Sequence, residues 1–190
     1  MAIWQFQLVV IPKKGVLEKF GHIPETLEID YKERSEHYHL KKEGLLEYDE
    51  EVKDALIQDW WSSTELPPME IIHQIDKKVR RADYGGDTFV NWKFNNGMVD
   101  NDASMTINEE SGKIELFRFR TDLREEKLKF LKEMIELAET YDWLLMEMNG
   151  NLVNPNFEEV AQLIKKSNSF KFLEDPLRFL TDIGKGKIEI

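Results

Sequence analysis

Hydrophobic and polar residues alternate from the start of the chain. Trp4, Phe6, Leu8 and Val10 fall on one side and Gln5 and Gln7 on the other, which predicts a strand with one well-buried face. Pro12 to Gly15 end it. The stretch from Val16 to Tyr48 is the hardest to read. Leu27, Ile29 and Tyr31 alternate as in a short strand, and charges of both signs crowd the segment from Glu28 to Asp54. Asp49 is expected to cap a helix that turns Val52, Ala55 and Leu56 inward and runs into Trp60 and Trp61. Pro67 and Pro68 open a second helix with Ile72, Ile75 and Val79 on one side.

Beyond Gly85-Gly86 the period changes to two. Val90, Trp92 and Phe94 form one strand, Asn95-Asn96-Gly97 a turn, Met105 and Ile107 a second strand, and Lys113 to Arg120 a third. Leu116, Phe117 and Phe119 put apolar groups on both sides of the third strand, which places it inside the sheet. Asp122 with Glu125 reads as a helix cap. Leu128, Leu131, Ile135, Ala138 and Tyr141 then repeat at helical spacing, before the apolar run Trp143 to Met148. Strand, helix, strand predicts a right-handed crossover to a parallel neighbour. Asn154-Pro155 and Asp175-Pro176 open two closing helices. The expected fold is α+β: a mostly antiparallel sheet with helices packed on one face and one β-α-β crossover in the C-terminal half. It forms a single domain over 1–190 with a charged helical excursion at about 16–86.

Four segments together suggest a relationship. They are the Trp4-Gln5-Phe6 strand, the run Arg118-Phe119-Arg120-Thr121-Asp122-Leu123-Arg124, the run Asp142-Trp143-Leu144-Leu145, and Asp175-Pro176-Leu177-Arg178-Phe179-Leu180. This arrangement is similar to a set of small bacterial proteins of uncharacterised activity. The resemblance spans most of the chain and implies no catalytic residues. In general style, small, acidic and α+β, the chain also resembles bacterial toxin-neutralising immunity proteins.

Composition narrows the chemistry. Hydrophobic residues make up 41% and charged residues 33% of 190 positions, as in a globular chain, and no apolar run approaches the roughly 20 residues of a membrane helix. The N-terminus lacks the basic and apolar regions of a signal peptide, so the cytoplasm is the expected compartment. There is no cysteine, which excludes disulfides, thiol catalysis and thiolate metal sites. The net charge of −11 disfavours nucleic acid and anionic membranes and favours a basic protein partner.

Candidate chemistry is sparse. Neither a phosphate-binding loop, a dinucleotide fingerprint nor a nucleophile elbow occurs, and no catalytic residues or cofactor are expected. His37 and His39 would share a face on a strand, but they lack a third ligand at regular spacing. Asp100-Asn101-Asp102 with Ser104 clusters oxygens without the series that calcium needs, so both groups read as ordinary surface or turn chemistry rather than metal sites. Two sites remain. Adjacent tryptophans on a helix point about 100° apart, so either one of Trp60 and Trp61 faces outward as a partner contact, with Asp54 and Asp59 as an acidic rim, or the pair is wedged under a loop. Arg118, Arg120 and Arg124 would form a fork for a carboxylate or phosphate, unless they pair with surface acids, which is the expected case. The first site goes with a non-catalytic interaction protein, its most concrete version an immunity-type inhibitor of a basic toxin. The second goes with an enzyme or a small-ligand domain for an anion.

Overall fold

The computed structural model describes residues 3–45 and 52–188. It has six strands in one sheet: β1 (Gln5–Pro12), β2 (Phe89–Asn95), β3 (Asp100–Ile107), β4 (Ile114–Asp122), β5 (Trp143–Glu147) and β6 (Leu152–Val153). Their spatial order is β2-β3-β4-β1-β5-β6, and every ladder is antiparallel. The helices among the described residues are α1 (Lys13–Phe20), α2 (Tyr31–Glu43), α3 (Pro68–Asp76), α4 (Lys129–Thr140), α5 (Phe157–Lys166), α6 (Asn168–Glu174) and α7 (Pro176–Gly184). The fold is α+β, with the β2-β3-β4 meander and an interior β4. No helix among the described residues is long and apolar enough to cross a membrane.

The two faces of the sheet differ because side chains alternate along each strand. On one face Trp92, Ala103, Phe119 and Leu8 line up across four strands, with Val90, Met105, Phe117, Val10 and Leu145 in the next row, all buried. Phe130 of α4 meets Phe119 edge-on at 6.0 Å here, and Asp76 at the end of α3 accepts from Trp92 Nε1 at 2.8 Å. On the other face, Lys93, Asp102 and Arg120 form one row and Asn91, Ser104 and Arg118 another. That polar character gives way to the buried Val9, Ile11, Leu144 and Met146 on β1 and β5.

Several local expectations are corrected. The crossover does not join neighbours: β4 and β5 run parallel because both pair antiparallel with β1, which lies between them. Asp122 is the last residue of β4 and does not cap a helix, since α4 begins only at Lys129, after Lys127 and Leu128 adopt positive φ of 65° and 47°. Glu125 accepts from the Phe130 amide instead. Tyr31 opens α2, not a strand, because Asp30 caps the helix by accepting from the Lys32 and Glu33 amides. The expected helical cap Asp49 lies outside the described residues, and 52–63 form turns and irregular backbone, not a helix. Asp100 to Ser104 belong to β3 and are not a loop.

Candidate interaction surface

Three groups singled out in the sequence take up positions that change their meaning. Trp60 and Trp61 are both buried, at 5% and 1% exposure. The pair is wedged inward under a loop and neither faces outward, because the segment is irregular backbone and not a helix, so no fixed angle separates consecutive side chains. Trp60 Nε1 donates to the Ala55 carbonyl at 2.7 Å, and Trp61 packs edge-on against Trp143 with centroids 5.4 Å apart. Asp54 is fully buried and forms no rim: it accepts from Arg34 Nε at 3.1 Å and Nη2 at 2.6 Å. Asp59 stays at the surface and accepts from the Trp61 amide at 3.1 Å.

The arginines do not converge as a free fork. Arg120 is bound by Asp102, Nε to Oδ1 at 2.8 Å and Nη2 to Oδ2 at 2.7 Å. Arg124 is bound by Asp122 at 2.9 and 2.6 Å and lies 4.1 Å above the Trp4 ring. Burial pushes the Asp122 carboxyl up, but the Arg124 side chain and the Arg124 and Asp100 amides outweigh it and hold the value below the ordinary 3.8. Arg118 alone of the three has no carboxylate partner among the described residues; its Nε donates to Ser104 at 3.2 Å. Two of three guanidinium groups are therefore engaged, which leaves little for an incoming anion.

The histidines separate as well. His37 and His39 sit two apart on a helix and so point about 200° from each other. Among the described residues no group of three or more His, Asp or Glu side chains is arranged to hold a metal ion.

A different surface emerges where α4 ends. Its last turn contains no basic residue; Glu139 stands exposed in that turn, Glu136 exposed just before it, and Asp142 exposed just after the helix. Carboxylates near the negative end of a helix cost stability, roughly 0.3–1 kcal/mol each at a surface. The same end receives Glu70 from α3, whose carboxylate accepts from the Tyr141 hydroxyl at 3.0 Å. Glu65 lies nearby, beside a small depression that Tyr141 and Asp142 also line, together with Lys13 and Lys14. Only Asp142 of these five acids has a cation in contact among the described residues, Lys13 at 3.1 Å. The support beneath is aromatic and rigid. Tyr141 stacks on Trp143 at 4.8 Å, and Trp143 meets Phe117 and Trp61 edge-on. Burial and the Glu70 carboxylate raise the Tyr141 phenol above its usual value, so it remains a hydrogen donor.

Sequence reasoning had missed this surface. The signal is legible as Glu136 and Glu139 in and just before the final turn of a helix that offers no lysine or arginine there; the contribution of Glu70 from α3 is not. Compared with known protein families, curated proteins and solved structures, the chain has no match in any of the three. Its function has to be argued from the surface itself.

Proposed function

We propose that this chain is a non-catalytic interaction protein that meets a basic protein partner through the acidic surface at the end of α4, with Glu65, Glu70, Glu136 and Glu139 as its anionic groups. The observation that supports this is the placement of acids at the unfavourable end of a helix, on an aromatic base, without cations to neutralise most of them. A local arrangement that costs stability is expected where a surface has been shaped for binding. The net charge of −11 would add long-range attraction and raise the association rate at low salt. An immunity-type inhibitor of a basic toxin in the bacterial cytoplasm is the most concrete form of this reading. The engaged state of Arg120 and Arg124 weighs against the alternative of an anionic ligand held by Arg118, Arg120 and Arg124.

The test is affinity capture from the source cells with the wild-type chain and an E70K/E136K/E139K variant side by side, at low and high salt. A basic protein held by the wild type at low salt, lost at high salt and lost with the variant supports the proposal. Equal capture by both chains refutes it.

A further inference from the structure

Away from the acidic surface, α2 and the β3–β4 hairpin enclose a cavity of about 390 Å³, within the size range of small-molecule sites. Its apolar side is formed by Val52, Leu56, Ile57 and Leu116. Its polar side carries Lys41 and His37 from α2 and Lys113 from the hairpin. The Nδ1 of His37 is shut off from solvent with no hydrogen-bond partner among the described residues, an arrangement that costs free energy unless something fills it. Burial, then the Lys41 ammonium, hold the His37 imidazole below 6.5 despite Glu33 and Glu115, so the ring is neutral at pH 7.

The cavity is lined by two carboxylates, Glu115 and Asp59, and two ammonium groups, Lys41 and Lys113. Glu115 already accepts from Asn108 Nδ2 at 2.9 Å and from Lys41 at 3.5 Å, and Asp59 accepts from the Trp61 amide. The Lys113 ammonium is bonded only to the Ser62 carbonyl among the described residues, and the Lys41 contact is long. Each ammonium has three donors, so both keep N–H groups that no protein acceptor among the described residues takes up. Helix α2 buries none of its residues and is held by polar contacts: the Arg34–Asp54 pair, Glu33 to the Lys53 and Asp54 amides, and Lys41 to Glu115.

We propose that this cavity binds a small amphipathic monocarboxylic acid, its apolar body against Leu56, Ile57 and Leu116 and its carboxylate on the side of His37, Lys41 and Lys113. The inference is independent of the acidic surface at α4 and goes beyond it. Octanoate, octanol and octylamine, which share one apolar body and differ in charge, are titrated into the full-length ¹⁵N-labelled protein. Octanoate is expected to shift the amides around His37, Leu56 and Leu116 saturably, octanol to bind at least about tenfold more weakly, and octylamine not to bind. A K41Q/K113Q variant, altered only at side chains that leave the core untouched, is expected to weaken octanoate about tenfold and leave octanol unchanged. Leu56→Glu, which puts an anion into the apolar wall, should abolish octanoate binding. The proposal is overturned if millimolar octanoate shifts nothing at this cavity, if octylamine binds as well as octanoate, or if the double lysine variant binds octanoate unchanged.

Discussion

Arg34 reaches from α2 to the fully buried Asp54 and grips it with two nitrogens, the shorter contact 2.6 Å long. The same carboxylate accepts from the Asp30 and Leu56 amides. One side chain thus ties the start of α2 to the turn that leads to Trp60. Removing one member of a buried pair leaves the other uncompensated, at a cost of about 3–5 kcal/mol. Asp54→Ala is therefore expected to lose that much in urea unfolding. An unchanged unfolding midpoint would show that the pair does not support the fold.

Trp61 makes a second structural prediction. It sits at 1% exposure against Trp143, which carries Tyr141 on its other side. Trp61→Ala should cost about 3–5 kcal/mol by leaving a cavity under the acidic surface. Trp60→Ala should be destabilising too, since its indole N–H satisfies the Ala55 carbonyl. Thermal melts in which either variant matches the wild type would contradict the packing.

Asp122 predicts a pH dependence. Its carboxyl lies below the ordinary 3.8 in the folded chain. A depressed value contributes stability that is fully present above the unfolded value and is lost as pH falls through the folded one. The melting temperature should fall on acidification below about pH 4, and fall less steeply in Asp122→Asn. Parallel acid profiles for the two proteins would count against the Arg124 contact.

His37 predicts the opposite partition of charge. Burial and Lys41 keep its ring deprotonated below 6.5 in the folded state, while the unfolded chain takes up the proton near 6.5. This group's stabilising contribution is present above that value and declines as pH drops from 6.5 toward the folded value. An NMR titration of the His37 ring protons should give a midpoint under 6.5, and a midpoint at or above it would contradict the burial.

The parts legible in the sequence were those where one period dominates. The two-residue alternation of Val90, Trp92 and Phe94, and of Phe117 and Phe119, places the meander and its interior strand, because one sheet face is apolar through its central rows across β2, β3, β4 and β1. Pro68 and Asp175 mark helix starts by local chemistry that tertiary contacts do not override. The excursion was illegible for a physical reason. Helix α2 buries nothing, so it carries no apolar stripe, and its docking depends on Arg34 meeting Asp54, 20 residues away. Gly15 looked like a strand terminator yet lies inside α1, where a Cβ would stand 2.3 Å from the Trp60 carbonyl oxygen. That the arginines pair with acids is legible, but which acids is not: Asp102 and Asp122 are selected by strand register and a turn, which spacing along the chain does not display.

The central claim is that Glu136 and Glu139 are placed for binding at the expense of folding. It is tested most directly by measuring stability and partner capture together in E136K/E139K. Cations at a helix C-terminus are favourable by roughly 0.3–1 kcal/mol each, so the variant should melt at a higher temperature than the wild type while losing the basic partner that the wild type retains at low salt. A variant that is more stable and still holds that partner would contradict the account.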